Sequence, residues 1–524
     1  MRTAALRTLG FLVAGLLQAA SIAWPVGGRP LWWLQLLSLA LLCALLDAER
    51  AAGARWRRAG LCGWLFGTAW LAASFWWLFI SMHTYGGLPA PLAALAVLAL
   101  AAALALYYAA ACAAYVAWAP ARPAGAVLLF AALWTLAELL RGHWFTGFPW
   151  GAGGYAHVEG PLAGYAPWVG VYGIGALAAA LAACLGRVMR VGRPARAGAV
   201  LAPAAAVAVL ALAPLGLRVL HDDGGASQSR GTLGVALLQG NIPQDEKFVP
   251  GAGIGVALRW YAEQLHASSA PLVVTPETAI PLLPRQLPEG YWAALAARFA
   301  GSGQAALVGL PLVDASGRYA NSVVALLPQP QGAYRYDKHH LVPFGEFIPP
   351  GFGWFIRMMN IPLGDFHRGA LPQAPLAWQG QRIALNICYE DLFGEEIGAG
   401  FRDAAAAPTV LLNVSNIAWF GDTVAIDQHL AISRMRALEF QRPMLRATNT
   451  GATAVIDHRG VVTHQLPRLT RGVLQAQVEG RGGITPYAWW VSRAGLAPLW
   501  GLALLGAAAG AAAAWRRRRA AARL

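Results

Sequence analysis

Apolar positions run almost unbroken through the first 220 residues and return near the end, with a long stretch of mixed polarity between. Crossing the hydrocarbon core of a bilayer takes roughly 20 apolar residues. Runs of that kind lie at 9–24, 31–47, 60–82, 88–118, 124–140, 163–186, 197–219 and 488–514. The first is short, follows Arg2 and Arg7 and precedes small residues, so it also has the form of a secretion signal. Beyond 220 the pattern changes. Short apolar and β-branched runs at 233–239, 271–275, 305–311, 321–327, 381–388, 408–415, 443–448, 452–457 and 472–478 predict strands. Helical spacing at 252–269, 289–302 and 425–440 falls between them. The chain is therefore predicted to be a polytopic α-helical membrane protein of about eight spans carrying an inserted α/β sandwich. Residues 1–220 form a seven-span membrane domain, 221–486 an outward-facing domain, and 487–524 the final span and a basic tail.

Composition sharpens this. Only 12% of the 524 residues are charged and 57% are hydrophobic, against about 25% charged in an ordinary soluble domain. Disorder, collagen and coiled coil are excluded. The net charge of +15 raises nucleic acid as a partner, until the arginines are placed. Arg2, Arg7, Arg50, Arg55, Arg57, Arg58, Arg122, Arg187, Arg190, Arg193 and Arg196 precede the first span or follow the second, fourth and sixth, and Arg516 to Arg519 and Arg523 follow the last. The loops of opposite parity hold only Arg29 and Arg141. Cytoplasmic loops are enriched in this way. Both termini are expected in the cytoplasm and the inserted domain outside. The positive charge is topological, and no nucleic-acid partner is predicted.

Several features have structural readings. Gly63/Gly67 and Gly506/Gly510 suit close helix packing. Glu138 and Arg141, three apart, suit an intrahelical pair. The glycine- and aromatic-rich loop 141–155 is either an interfacial re-entrant loop or part of a lipid-facing entrance. Arg434, Arg436 and Glu439 suit an ion-paired helix, and Asp457, His458, Arg459 and Gly460 a hairpin turn. His339, His340 and His429 lack metal-ligand spacing.

Five cysteines without a C-x-x-C exclude a disulfide scaffold and a zinc ribbon. Cys43, Cys62, Cys112 and Cys184 lie in spans, as small packed hydrophobes. Cys388 stands alone in the outward domain at the end of a predicted strand, followed by Tyr389, Glu390 and Asp391. Two other strand ends carry Glu277, between Pro276 and Pro281, and Lys338, in a loop that includes Glu346. Alone, each suits a structural thiol, a solvated carboxylate and a surface lysine. Together they supply nucleophilic acyl chemistry. A thiol is only slightly ionised near neutrality and needs a base. A carboxylate raised toward the working pH by burial can serve. An ammonium stabilises the developing oxyanion and would lower the thiol pKa.

These strand ends resemble the Glu–Lys–Cys triad of the carbon–nitrogen hydrolase (nitrilase) superfamily. With the span layout, the chain resembles that superfamily's membrane branch, the apolipoprotein N-acyltransferases. The strings that carry the likeness are FTGFPW (145–150), LLQGNIPQ (237–244), TPET around Glu277, KHHLVPFGEFIP (338–349), NICYED (386–391), NVSNIAWFGD (413–422), QHLAISRMRALEFQRP (428–443) and RATNTG (446–451). The resemblance implies an αββα nitrilase-like sandwich at the outer face of a bacterial inner membrane. It implies transfer of an acyl chain from a phospholipid donor through a Cys388 thioester, with a diacylglyceryl-modified lipoprotein as acceptor and the bilayer as medium. Glu277 would be general base and Lys338 would stabilise the tetrahedral intermediates. Glu346, Tyr389 and Glu390 would support them. No metal or cofactor is implied. The chain departs from the family pattern at Thr275, where Trp is frequent, at Phe248, where Trp is usual, and at Ile417, where Asp is expected.

A lipid-to-lipid transfer must keep water from the thioester, so an apolar lid is expected near Cys388. Its candidates are Phe248, Phe344, Phe347, Phe352, Trp354, Phe355 and Trp419, with Phe148 and Trp150 from the FTGFPW loop. Two rival readings remain. One is a tethered amidase or nitrilase acting on a small amide, and eight spans are more anchor than that needs. The other is a transporter, against which the spans carry little charge beyond Glu138.

Overall fold

The computed structural model describes residues 2–190, 213, 227–313, 317–328, 333–358 and 366–523. Two compact units emerge: Met1–Leu78, Ala90–Asp223 and Leu496–Leu524 in one, Phe79–Pro89 and Gly224–Gly495 in the other. The predicted span at 197–219 lies outside the described residues apart from Ala213.

Six described helices, all in the first unit, are long and apolar enough to cross a membrane, and the count is seven if the broken pair Trp56–Phe75 and Leu78–Tyr85 is one span. Small residues set their packing. A Cβ on Gly67 would lie 2.9 Å from the Ala105 Cβ, inside the limit of real contacts, so helices Trp56–Phe75 and Ala90–Trp118 meet almost backbone to backbone. Glu138 and Arg141 do not form the predicted pair. Glu138 accepts from the Gly153 N–H (2.8 Å), and Arg141 donates to the carbonyls of Phe148 (2.6 Å) and Trp150 (2.7 Å). Both side chains bind the following loop, whose main-chain groups lack helical partners. The apolar run 488–514 is also two helices, Pro486–Ala494 in the second unit and Ala497–Ala521 in the first. Gly495, at φ 54°, breaks it.

The second unit is built on twelve strands: β1 (Gln228–Gln239), β2 (Leu272–Val274), β3 (Ala305–Val313), β4 (Tyr319–Leu326), β5 (Tyr334–Asp337), β6 (Leu376–Trp378), β7 (Gln381–Ile387), β8 (Val410–Ser415), β9 (Met444–Thr448), β10 (Ala454–Ile456), β11 (Val462–Gln465) and β12 (Gly472–Gly482). They form two six-stranded sheets, ordered β12-β1-β2-β3-β4-β5 and β11-β10-β9-β8-β7-β6. In each, three central strands are parallel: β1, β2 and β3, and β7, β8 and β9. Alternation along the strands explains the layers. Val235 and Leu237 join Ile383, Leu385, Leu412 and Val414 in one buried core. Ala236 and Leu238 point the other way, against Tyr261, Leu265, Leu295 and Phe299 of helices Gly253–Ala267 and Tyr291–Ala300. Each such aliphatic side chain is worth about 1.5–3 kcal/mol relative to exposure. Helix Val424–Phe440 buries Ile432, Met435 and Phe440 and also bonds the second sheet through polar groups: Arg446 of β9 bonds His429 Nδ1 (3.1 Å) and Ser433 Oγ. The expected two-sheet α/β sandwich is present, with β5, β6 and β11 added to the predicted strands.

Candidate active site

Strand ends from both sheets meet in one buried cluster. Glu277 follows β2 in a turn that lies directly on β3. Gly309 of β3 donates its N–H to Thr275 Oγ1 (3.0 Å) and accepts from the Ile280 N–H (3.1 Å). A Cβ at Gly309 would run into the Pro276 carbonyl, so only glycine lets the turn approach. The Glu277 carboxylate is then held at three points. Oε1 accepts from Asn321 Nδ2 (2.7 Å) and Lys338 Nζ (3.4 Å), and Oε2 from the Asn416 N–H (2.8 Å). Lys338 follows β5, and its Nζ also donates to Glu346 Oε1 (3.0 Å). Asn321 bridges both acids, reaching the same Glu346 oxygen at 2.8 Å. Glu346 Oε2 accepts from the Val342 N–H (2.8 Å). Glu277, Asn321, Lys338 and Glu346 are all buried.

Cys388 leaves β7 in the left-handed region, at φ 53°. A non-glycine residue stays there only when its surroundings hold it. Here they do: its carbonyl accepts from Asn413 Nδ2 (3.0 Å) and lies 3.3 Å from His429 Nε2. Glu390 locks the turn from below. Its Oε2 accepts from the Ile387 N–H (2.6 Å) and the Tyr336 hydroxyl (2.9 Å), and its Oε1 from the N–H groups of His339 (2.6 Å) and His340 (3.1 Å). One carboxylate thus ties the cysteine turn to the lysine loop. Tyr389 is buried between His340 and Phe393.

Electrostatics set the resting state. Burial pushes the Cys388 thiol up to about 12, and Glu277 adds to this, while Lys338 opposes it. Burial also works to raise Glu277, but Lys338, Asn321, Lys247 and the Asn416 N–H outweigh it and hold the carboxyl below its ordinary value. Burial acts to lower Lys338, yet Glu346, Glu277 and Cys388 hold it above its ordinary value. Lys338 does pull the thiol down and burial does push Glu277 up, as expected, but each is outweighed and the net shifts run the other way. Burial dominates at the thiol, whereas at Glu277 the cations and N–H donors together outweigh it. At neutral pH the site holds a thiol, a carboxylate and an ammonium.

Three contributors were not predicted. Asn321 and Asn416 are one kind, since asparagine reads as a turn residue until its partners are known. Lys247 is the other. It is buried, its Nζ lies 3.3 Å from the Glu277 carbonyl, and burial lowers it to about 8 against the pull of Glu277 and Cys388. Its only signal is its place just after the LLQGNIPQ string. Of the departures, Thr275 bonds Gly309, Ile417 is buried, and Phe248 is exposed beside Lys247.

The aromatic candidates divide. Phe344 packs edge-on to Phe352 (5.3 Å) and Phe355 (5.8 Å), and Trp354 adjoins Phe355 (5.9 Å), with Phe352 and Trp354 exposed. This cluster begins in the loop that carries Glu346 and continues in the segment after it. Phe347 lies under Arg368, and Trp419 meets Tyr85 edge-on at 5.8 Å. Phe148 and Trp150 belong to the other unit, where they pack on Phe75 and Trp77.

A two-sheet α/β sandwich with glutamate, lysine and cysteine at its strand ends has the make-up of a carbon–nitrogen hydrolase, and residues 234–485 match that family. Residues 14–184 match the apolipoprotein N-acyltransferase N-terminal domain. The apolipoprotein N-acyltransferase of Verminephrobacter eiseniae is 60% identical over 93% of this chain and 92% of its own. That of Ralstonia nicotianae is 50% identical over 90% and 88%. Among solved structures, Saccharomyces cerevisiae Nit3, a member of branch 10 of the nitrilase superfamily, is 16% identical with a TM-score of 0.36, covering 49% of this chain and 93% of that one. The chain belongs to the apolipoprotein N-acyltransferase family.

Proposed function

We propose that this enzyme N-acylates lipoproteins through a Cys388 thioester, drawing the acyl chain from a membrane phospholipid. The observation that carries the reading is the shared geometry of the Glu277 carboxylate, the Lys338 ammonium and the Cys388 turn. As the donor ester arrives, Glu277 takes the thiol proton and sulfur attacks the carbonyl carbon. Lys338 faces the developing oxyanion. The ester C–O bond breaks, and the lysophospholipid oxygen leaves with the proton from Glu277. The α-amino group of the diacylglyceryl-cysteine then attacks the thioester and passes its proton through Glu277 to the departing sulfur. An amide forms and the thiol is restored.

The high thiol pKa suits this order, because the nucleophile is generated only when the substrate is present. The half-exposed cluster of Phe344, Phe352, Trp354 and Phe355 is the apolar cover that limits hydrolysis. By its arginine distribution the chain has both termini in the cytoplasm and the catalytic unit at the outer face of the inner membrane.

The test is the intact mass of the purified protein after incubation with phospholipid. A fatty-acyl increment removed by neutral hydroxylamine and absent in Cys388→Ala is expected. An active preparation that transfers acyl chains equally well as Cys388→Ala would overturn the reading.

A further inference from the structure

Beside the buried cluster lies a cavity of about 240 Å3 that the transfer chemistry does not use. Its wall includes Tyr85, Asn241, Gln244, Asp245, Thr450 and Leu469. It is joined to the site by two hydrogen bonds. Gln244 Oε1 accepts from Asn416 Nδ2 (2.8 Å), and the Asn416 N–H holds Glu277 Oε2 (2.8 Å). The wall is rigid, since Asn449 clips the LLQGNIPQ and RATNTG segments together. Its Oδ1 accepts from the Ile242 N–H (3.0 Å), and its Nδ2 donates to the Ile242 carbonyl (2.8 Å) and to Asn416 Oδ1 (3.0 Å).

Two residues of this wall each carry a buried polar atom with no partner among the described residues: Gln244 Nε2 and Thr450 Oγ1. Gln244 is 6% exposed and Thr450 5%. An unmade hydrogen bond at a buried group costs about 1–3 kcal/mol, so such atoms need an account. An amide donor and a hydroxyl, on two residues of one wall, can match the carbonyl and N–H of a peptide group. The lining disfavours other occupants. Asn241, Gln244, Asp245 and Thr450 alternate with Tyr85, Pro243, Ala418 and Leu469, a mixed lining that suits a peptide better than a bare acyl chain. No lysine or arginine lines the cavity, and Asp245 does, so a phosphate is disfavoured. The volume is below the roughly 300–1,000 Å3 of a pocket for a whole drug-sized ligand, which suits a short segment.

We infer that this cavity receives the polypeptide that follows the modified cysteine of the acceptor, with Gln244 and Thr450 bonding its main chain. The inference rests on the acyl-transfer reading and specifies which substrate meets which wall. It places the acceptor on the Asn416 side of Glu277, opposite Lys338 and Glu346.

The experiment uses the full-length enzyme with a phospholipid donor and two synthetic acceptors. One is a diacylglyceryl-cysteine amide, and the other has the same head with three further residues. Wild type should show a KM several-fold lower for the longer acceptor. Thr450→Val should erase most of that advantage, raising KM for the long acceptor about 5- to 10-fold with kcat nearly kept. The rate of Cys388 acylation, followed by intact mass, is the comparator for the donor. Thr450→Val should also keep or raise the melting temperature, because it removes an unpaired buried hydroxyl.

Equal slowing of Cys388 acylation would assign the cavity to the donor headgroup and overturn the inference. Indifference of wild type to acceptor length would overturn it too, as would a lowered melting temperature with unchanged KM. A wild-type enzyme that transfers acyl chains without any Cys388 adduct would instead overturn the underlying reading.

Discussion

The two sides of Glu277 are built differently. On one, Lys338 and Asn321 each bind both Glu277 and Glu346, so the charges are compensated within the protein. On the other, Lys247 touches only a carbonyl of the cluster, and Gln244 leaves an amide hydrogen bond unmade. The first side is complete before substrate arrives, as electrostatic preorganisation requires. The second has groups that a ligand can satisfy. Machinery and docking surface thus share a single carboxylate.

Breaking the compensated side should have the largest effect. Lys338→Met leaves two buried carboxylates without their cation, which costs about 3–5 kcal/mol of stability. It also removes the proposed oxyanion partner, so transfer should fall by about 10²-fold or more. Thermal melting and acylation of Cys388 read the two losses separately. If transfer survived, the compensated side would be only structural.

Lys247→Met probes the other side. The buried ammonium has a pKa of about 8, below the ordinary lysine value of 10.5. Between those values the unfolded chain binds more protons than the native one, so this residue makes stability rise with pH through that window. Below pH 8 its burial cost is fully present. Lys247→Met should therefore raise stability at pH 7 and flatten the rise between about 8 and 10.5 in denaturant titrations. A variant less stable at pH 7 would show that the carbonyl contact outweighs desolvation.

The smallest effect concerns Glu390. Burial pushes it up to about 7, against the Ile387, His340 and His339 N–H groups and the Lys338 charge. Its native pKa lies above the ordinary 4.5, so the native state holds an extra proton between the two, and stability from this group falls as pH rises through that window. Glu390→Gln should flatten stability between pH 4.5 and 7 and reduce transfer only several-fold. An unchanged slope would mean that another group titrates there.

How much of this was legible in the sequence differs along the same divide. The apolar runs disclosed the sandwich, because the central strands are buried and apolar. Edge strands pair on one side only, and β5, β6 and β11, which the runs omit, are all edges. The β11 residues are mostly exposed, so no apolar pattern marks them. Glu277, Lys338 and Cys388 stood out as reactive types at strand ends. Their ionisation did not, since its sign depends on burial and on Glu346 lying 3.0 Å from Lys338 Nζ. The Asn416 side was least visible. Its residues bond across more than a hundred positions, from Gln244 to Asn416 and from Ile242 to Asn449, and no local pattern carries such pairs.

The pairing of β1 with β12 has a consequence in time. Gln228 aligns with Gly482 and Gln239 with Gly472, so the first sheet closes only when the last strand of the unit exists. Contacts that distant in sequence form slowly and late. During synthesis, the N-terminal strand waits with an open edge until residue 482 has emerged, just before the final span. A chain truncated upstream of 472 would expose that edge to other chains. Competence to carry an acyl group is thus acquired at the end of translation, close to the moment when the last helix enters the membrane.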